Sequence, residues 1–234
     1  MPEIPCDTRA LAKSIEAGAA ERDRPALVGI DGPGGTGKST LAALLAACLP
    51  GAVVVHIDDF YLPSADRPAR SGAIAAGFDL ARLDDQVLRP AVAGRRVRYQ
   101  RYDWDADRLG DWIELPPRTP LIVEGVHALH ADLRPAYTHT IHCQAPRDVR
   151  LHRGLARDGE EARTTWEDEW MPAEDAYLAA HRPHLHADTL LDSHTRPPAP
   201  DGTPRYTLVT APARGRATGA GGTGRPRPGG ARWP

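Results

Sequence analysis

The stretch that decides the fold is Gly32-Pro33-Gly34-Gly35-Thr36-Gly37-Lys38-Ser39, which follows an apolar run and precedes an alanine- and leucine-rich segment. Its glycines permit a tight backbone that aims consecutive N–H groups inward, where they bind the oxygens of a phosphate chain. A helix that begins at Lys38 adds the positive end of its dipole. In this pattern the lysine reaches the β- and γ-phosphates, and the Ser39 hydroxyl binds Mg²⁺. The stretch therefore predicts a site for ATP with Mg²⁺.

Apolar runs alternate with amphipathic stretches on both sides of this loop. The pattern predicts strands at residues 26–30, 53–57, 121–123, 140–143 and 189–191, and helices at 8–20, 39–49 and 147–157. Strands that alternate with helices imply a parallel sheet with ligands at the carboxyl ends of its strands. The predicted fold is α/β: a three-layer αβα sandwich of the P-loop NTPase class with a five-stranded parallel core.

The chain of 234 residues has the length of one α/β domain. We expect an N-terminal helix within residues 1–25 and the nucleotide-binding domain at 26–195. Within that domain, residues 63–120 are interpreted as a substrate-facing insert and 147–165 as an arginine lid region. Residues 196–234 are dominated by Pro, Gly, Arg and Ala, and are predicted to be a disordered tail. Its strand-like piece at 206–209 is expected to pair with a sheet edge.

Composition argues for a small-molecule acceptor. Lys plus Arg number 29 against 31 Asp plus Glu, so the formal charge of -2 gives no reason to expect nucleic acid or an anionic membrane as partner. Cys6, Cys48 and Cys143 are widely spaced, which favours a reducing cytoplasm over a disulfide framework. No apolar run approaches the roughly 18 residues of a membrane span. We expect a cytoplasmic protein, and leave homo-oligomer formation open.

Two residue types are nearly or wholly absent. The chain has two lysines, Lys13 and Lys38, so the lysine in the glycine loop stands against a composition that otherwise uses arginine. There is no asparagine, which excludes the guanine-reading Asn-Lys-x-Asp motif of the usual GTPases.

Carboxylates follow two of the predicted strands. Asp58 lies at the same edge of the sheet as the loop, where a carboxylate can accept a proton from an attacking hydroxyl. Glu124 fits the acidic position that holds Mg²⁺ or its water in P-loop enzymes. Asp59 is interpreted as a cap of the turn. Capping remains the alternative for Asp58, and a surface turn for Glu124.

Several short motifs follow the loop in order: Ile57-Asp58-Asp59-Phe60-Tyr61, Phe78-Asp79, Tyr102-Asp103-Trp104 and Val123-Glu124-Gly125. With the glycine loop, this set resembles the uridine kinase family, which belongs to a wider group with phosphoribulokinase and bacterial pantothenate kinase. The resemblance covers residues 26–192 and is specific as a set.

The resemblance implies a role for each matching residue. The catalytic residues would be Asp58, as base for a ribose 5′-hydroxyl, with Lys38 and Arg153. The ATP-binding residues would be Gly32, Pro33, Gly34, Gly35, Thr36, Gly37, Lys38, Ser39, Thr40, Arg150 and Arg157. The acceptor would be bound by Asp58, Tyr61, Asp79, Tyr102, Trp104 and Arg150. The metal ligands would be Ser39 and Glu124.

Alternatives stay open for the aromatic and arginine positions. Tyr102 and Trp104 lie on one face of a local strand, so a hydrophobic minicore competes with a platform for a base. Arg150, Arg153 and Arg157 project from one side of a helix, either toward phosphates or as a solvated face that pairs with Glu160, Glu161 and their neighbours.

The chain departs from the family at one point. Uridine kinases usually place a histidine a few residues after the Tyr-Asp-aromatic segment, whereas this chain has Asp105-Ala106-Asp107-Arg108. An acidic group suits an amino-bearing edge such as that of cytosine better than a carbonyl. Base identity therefore stays open.

Histidines and tryptophans near the end of the domain receive a structural interpretation. His181, His184 and His186 lack the cysteines or acidic residues that would complete a metal site. Trp166 and Trp170, four apart on a helix, are interpreted as packing anchors of the lid region.

The function predicted from these patterns is ATP-dependent phosphoryl transfer to the 5′-hydroxyl of a pyrimidine nucleoside, of the uridine/cytidine kinase type. One alternative is a kinase of another small hydroxyl acceptor, such as pantothenate or a sugar phosphate. Another is a non-catalytic ATP-binding regulatory protein, because a phosphate-binding fold alone does not specify a reaction.

Overall fold

Seven strands form one sheet in the computed structural model, which describes residues 4–67, 74–197, 199–200 and 204–209. Their order is β1 (Ile4–Pro5), β9 (Thr207–Leu208), β8 (Thr189–Asp192), β7 (His139–Gln144), β2 (Leu27–Asp31), β6 (Leu121–Glu124) and β3 (Val53–His56). The last five are parallel, whereas β9 and β1 pair antiparallel at one edge. The predicted five-stranded parallel core is confirmed.

The two central strands are apolar along their whole length because both faces of the sheet are covered. Every residue of β2 and β6 is buried. Side chains alternate between the faces, so Leu27 joins one core cluster while Val28 and Ile30 join the other. Two separate cores on the two faces of one sheet confirm the three-layer sandwich.

Two helices cover one face. Helix α1 (Thr8–Ala20) begins at its N-cap Asp7, whose Oδ1 accepts from the Arg9 N–H at 2.9 Å, and it buries Ala12, Ile15 and Ala19. Helix α2 (Lys38–Ala46) starts directly after the glycine loop and buries Leu41 and Leu45. It ends before the predicted residue 49, because the chain tightens into a turn ahead of Pro50.

The predicted insert at 63–120 supplies much of the opposite face. It contains a continuous helical stretch made of α3 (Leu80–Leu83), a π-helical segment (Asp84–Leu88) and α4 (Arg89–Val92). An antiparallel hairpin follows, with strands β4 (Val97–Asp103) and β5 (Arg108–Leu115). Val87, Leu88, Val97 and Tyr99 are buried in the core. The insert therefore contributes to the core.

Helices after β7 pack over the glycine loop. They are α5 (Arg147–Asp158), α6 (Arg163–Thr165), a π-helical segment (Trp166–Trp170), α7 (Met171–His181) and α8 (Pro183–His186). The helix predicted at 147–157 is thus present. Within the described ranges, no helix combines the length and the apolar character needed to cross a membrane.

The C-terminal segment returns to the sheet. Strand β9 pairs with β8 and β1, and the Tyr206 carbonyl accepts from the Cys6 N–H at 2.9 Å. The expected pairing of residues 206–209 with a sheet edge is present, and the disorder predicted from residue 196 does not describe 204–209. Apolar contacts of the buried Tyr206 with the core explain why this segment is ordered. Residues 210–234 of the predicted tail lie outside the described residues.

Candidate active site

The glycine loop connects the buried end of β2 to the start of α2. Gly35 and Gly37 have φ angles of 76° and 80°, left-handed values that favour glycine. The Lys38 Nζ donates to the Pro33 carbonyl at 2.9 Å, and the Thr36 hydroxyl donates to the same carbonyl at 2.7 Å. These bonds close the loop around the buried lysine side chain. The loop has the compact form that its sequence predicted.

Glu124 and Ser39 lie together beside the loop. The Ser39 hydroxyl donates to Glu124 Oε1 at 3.1 Å, and His56 Nδ1 lies 2.6 Å from the same oxygen. Burial alone would raise the pKa of Glu124, but the hydrogen bond from His56 and the charge of Lys38 outweigh it and lower that pKa. Glu124 is therefore held as a carboxylate.

The donor set at this position fits magnesium. A hydroxyl and an ionised carboxylate are hard oxygen ligands, which Mg²⁺ prefers together with water and substrate phosphates. Ser39 Oγ and Glu124 Oε1 are close enough to serve one ion or its bound water. The two predicted metal ligands are thus adjacent in the structure.

Asp58 lies at the carboxyl end of β3, in a 3₁₀ turn (Ile57–Phe60). Its side chain is exposed in the cleft that it shares with Lys38, Glu124 and Tyr61. The surrounding protein limits its hydration and, with the charge of Glu124, raises its pKa. Lys38, His56 and Arg157 act in the opposite direction on the same carboxylate. The predicted base thus shares its surroundings with the loop lysine, the Glu124 carboxylate and one lid arginine.

Asp59 points to a different environment. Its carboxylate accepts a hydrogen bond from the His56 backbone N–H, and burial raises its pKa. This is the local contact of a turn cap, in agreement with the interpretation of Asp59 as a structural residue.

Four aromatic rings form a wall beside Asp58. The centroid of Tyr61 lies 4.2 Å from that of Phe78 and 4.7 Å from that of Trp104, and Tyr102 lies 4.9 Å from Trp104. Tyr102 is buried, whereas Trp104 is 58% exposed. The rings pack against one another, as a minicore would, and the exposed Trp104 also leaves an aromatic surface accessible to a ligand.

Asp79 is partly engaged by its own helix. Its Oδ1 accepts from the Arg82 N–H at 2.9 Å as the N-cap of α3, and its Oδ2 lies 3.6 Å from Arg82 Nε. An acceptor bound by Asp79, as predicted, would therefore share its carboxylate with Arg82.

Asp107 is bonded within the protein. It accepts from the Ser64 hydroxyl, from the Ser64 N–H at 2.9 Å and from the Tyr102 hydroxyl at 2.5 Å. These hydrogen bonds, that of the Ser64 hydroxyl first, lower the pKa of Asp107 to about 2. Arg67 Nη2 also donates to the Tyr102 hydroxyl at 2.9 Å. The interpretation of Asp107 as a reader of an amino-bearing base edge thus gains no support, because its oxygens already have partners.

Two of the three predicted lid arginines bind protein groups outside their own helix. Arg150 is 4% exposed and its Nη1 donates to Glu174 Oε2 at 3.0 Å. Arg153 Nη1 donates to the Gly35 carbonyl at 3.0 Å and to the Ser193 hydroxyl at 2.8 Å. A solvated helix face therefore does not describe Arg150 and Arg153, which are held by protein groups in this structure. Their predicted contact with phosphates stays a prediction.

Arg157 differs from its two neighbours on α5. Its Nε donates to Asp158 Oδ1 at 2.7 Å, and its side chain is largely exposed. Its charge acts on the Asp58 carboxylate. Of the three arginines, Arg157 is the one that the structure associates electrostatically with the predicted base.

A tryptophan covers the loop from above. Trp166 is 1% exposed, and a Cβ placed on Gly34 would lie 2.7 Å from its ring. Trp170 is 41% exposed, with its centroid 5.3 Å from that of Trp166. The expected packing role fits Trp166 closely and Trp170 less well.

Among the described residues, no group of three or more His, Cys, Asp and Glu side chains has the arrangement of a metal site.

Several site residues have no clear signal in the sequence. His56 follows an apolar run, and its position opposite Glu124 in the parallel register reveals its role only once the strands are paired. Glu174 accepts from the Gly34 N–H at 2.7 Å across 140 positions of sequence. Asp31 is fully buried and accepts from the Tyr177 hydroxyl at 2.7 Å. Such long-range partners cannot be read from a local pattern.

Comparison with known proteins agrees with this geometry. The chain is 32% identical to a uridine kinase from Clostridium botulinum over 154 residues, which are 60% of this chain and 73% of that protein. The chain belongs to the uridine kinase family. Membership in the uridine kinase family places it among the P-loop kinases, as the loop and the parallel sheet lead one to expect.

Other similarities extend over different shares of the chain. A solved structure of a possible uridine kinase from Bacillus stearothermophilus has a TM-score of 0.55 at 22% identity, and covers 77% of this chain and 98% of that one. That match supports the fold. The inorganic pyrophosphatase TTM2 from Arabidopsis thaliana is 28% identical over 133 residues, 54% of this chain but 19% of that protein. No protein-family model matches the chain.

Proposed function

We propose that this protein transfers the γ-phosphoryl group of ATP to the 5′-hydroxyl of a pyrimidine nucleoside. The observation that carries the proposal is the position of Asp58, exposed in the cleft and under the charges of Lys38 and Glu124. A phosphate-binding loop alone is compatible with many reactions. A carboxylate base beside that loop supports transfer to a hydroxyl.

In the proposed reaction the acceptor oxygen attacks the γ-phosphorus and its proton passes to the Asp58 carboxylate. The bond between the γ-phosphorus and the bridging oxygen breaks, and ADP leaves. The raised pKa of Asp58 makes its carboxylate a better proton acceptor than an ordinary aspartate. Lys38 and the loop N–H groups would stabilise charge on the phosphates. Mg²⁺ held by Ser39 and Glu124 would neutralise phosphate charge when bound.

A nucleoside as acceptor is supported by two observations. A curated relative that is 32% identical over 154 residues is a uridine kinase. In addition, aromatic rings lie beside the proposed catalytic base Asp58, and a planar nucleobase can stack on them or meet their edges. The rings are those of Tyr61, Tyr102 and Trp104.

One observation favours a second acceptor class. The Arg67 guanidinium lies 5.1 Å from the ring centroid of Tyr61 and 5.5 Å from that of Tyr102, so a cation occupies part of the aromatic wall. A guanidinium binds carboxylates and phosphates well. An alcohol that carries a carboxylate or a phosphate, such as pantothenate or a sugar phosphate, is therefore the second candidate.

An acceptor panel tests the proposal. ATP consumption is measured with Mg²⁺ and uridine, cytidine, pantothenate, a pentose phosphate or no acceptor. The proposal predicts ADP formation that depends on uridine or cytidine. Activity confined to an anionic acceptor would favour the second candidate, and should fall in Arg67→Gln. ADP formation that is acceptor-independent, or absent throughout, would contradict both kinase assignments and favour a regulatory protein.

A further inference from the structure

The carboxylate of Glu174 lies on the glycine loop. Its Oε1 accepts from the Gly34 N–H at 2.7 Å, and its Oε2 accepts from Arg150 Nη1 at 3.0 Å. Both residues are buried, Glu174 at 7% and Arg150 at 4% exposure. A loop N–H and a guanidinium are the kinds of donor that bind a nucleotide phosphate. One carboxylate therefore holds two phosphate-type donors at once.

The surrounding structure holds Glu174 in this place. Tyr177, one helical turn further along α7, donates its hydroxyl to the fully buried Asp31 at the end of β2 at 2.7 Å. Trp166 packs on Gly34 from the preceding segment. Glu174 is thus presented by a helix that is anchored to the central sheet, and its contact with the loop is part of the packed interior.

The electrostatics of the contact resemble those of a bound phosphate. Burial raises the pKa of Glu174, while the Gly34 N–H, Lys38 and Arg150 stabilise its ionised form. A phosphate group would bind the same N–H and guanidinium beside the same lysine charge, and it would bring more negative charge to them. Because the N–H and the guanidinium are already bonded, a terminal phosphate at this point of the loop has to displace the carboxylate.

We propose that Glu174 occupies the place of the terminal phosphate of ATP, and that ATP displaces it when it binds. Displacement frees Arg150, which then binds the phosphoryl group to be transferred. Glu174 is in this sense a positioning residue that links α7 to nucleotide binding. The role of the freed Arg150 in transfer rests on the proposed function, whereas the exchange of carboxylate for phosphate concerns nucleotide binding alone.

The test measures affinity for a non-hydrolysable ATP analogue and for ADP, with Mg²⁺, by calorimetry on the full chain. Glu174→Gln keeps the side-chain shape and removes the charge. If Glu174 contacts the loop in about nine-tenths of unliganded molecules, only about one-tenth are ready to bind the analogue. Loss of the contact should then lower the dissociation constant of the analogue about tenfold. ADP, which lacks the γ-phosphate, should gain much less. Asp175→Asn is the matched control, because it removes an exposed carboxylate whose Oδ1 lies 3.9 Å from Arg150 Nη2. Both affinities should be unchanged in this variant.

Other outcomes would overturn the inference. Unchanged or weaker binding of the analogue by Glu174→Gln would make Glu174 a structural support of the loop. Equal tightening for ADP and the analogue would exclude the terminal phosphate as its competitor. If the variant does not fold, hydrogen exchange on the wild-type chain decides: the analogue should speed exchange in α7, and slower or unchanged exchange would contradict displacement. These measurements need no acceptor, so they still test the displacement of Glu174 if the proposed kinase function is wrong.

Discussion

Two carboxylates of the cleft have pKa values that move in opposite directions. Limited hydration and the charge of Glu124 raise the pKa of Asp58, whereas the bond from His56 and the charge of Lys38 lower that of Glu124. Environments that push two neighbouring carboxyl pKa values apart are typical of sites where one group moves a proton and the other stays ionised. The proposed division of roles, with Asp58 as base and Glu124 as metal ligand, follows from this difference.

The pH dependence of activity follows from the raised pKa of Asp58. The carboxylate accepts a proton only when ionised, so kcat/KM for the acceptor should fall as the pH drops through this pKa. The acid limb should therefore lie above the value of about 3.9 for an ordinary aspartate. The position of the acid limb is checked by measuring kcat/KM at a series of pH values. Thermal unfolding followed at each pH verifies that the protein is folded. An acid limb at or below the ordinary aspartate value would contradict the assignment.

At the scale of elements, Gly154 on α5 is a position where helix propensity and steric conflict have opposite effects on stability. An alanine in a helix interior is favoured over glycine by about 1 kcal/mol. A Cβ at Gly154, however, would lie 2.4 Å from the ring of Trp166, which is fully buried and also packs against Gly34. Overpacking of this kind costs about 1–3 kcal/mol. Steric conflict should therefore outweigh helix propensity.

Gly154→Ala should accordingly lower the melting temperature, by about 3–6 °C. Gly18→Ala in α1 is the matched control, because the nearest atom to its new Cβ is the flexible end of Arg22 at 3.7 Å. That variant should raise the melting temperature by about 2–4 °C. Differential scanning calorimetry compares the two. A stabilised Gly154→Ala variant would show that Trp166 is not fixed against α5.

How far the sequence predicts each element depends on the range of its interactions. The unit of β2, glycine loop and α2 is predictable because its apolar run, glycines and helix are contiguous. The α5 helix is likewise present as predicted, but the partners of its arginines are not: Arg150 pairs with Glu174, 24 positions away, and Arg153 with Ser193, 40 positions away. Helical spacing gives the face of a side chain, and only the packed fold gives its partner.

At the scale of the whole molecule, the C-terminal segment shows the limit of composition. Residues 204–209 follow a proline-rich stretch, yet the Tyr206 hydroxyl donates to the Gly37 carbonyl of the glycine loop at 2.6 Å, 169 positions away. Tyr206 is 4% exposed and packs in the core that α1 and α2 cover. The edge of the sheet is therefore connected directly to the nucleotide loop.

Two truncations test this connection. Removal of residues 204–234 should lower the free energy of unfolding by about 2–3 kcal/mol, since it exposes the surface that Tyr206 buries. Removal of residues 210–234 should leave the free energy of unfolding nearly unchanged, in line with the disorder predicted for them. Denaturant unfolding of both forms decides the matter. Equal losses from the two truncations would contradict a structural role confined to 204–209.

The central claim is that Asp58 is the base of a phosphoryl transfer to a hydroxyl. The most direct measurement follows the labelled γ-phosphate of ATP into uridine for wild type, Asp58→Asn and Asp59→Asn. We predict that Asp58→Asn lowers kcat by about 10²–10⁴-fold. ATP affinity should be nearly intact, and Asp59→Asn, which alters the neighbouring turn, should stay close to wild type. Full transfer by Asp58→Asn, or equal losses in the two variants, would contradict the account.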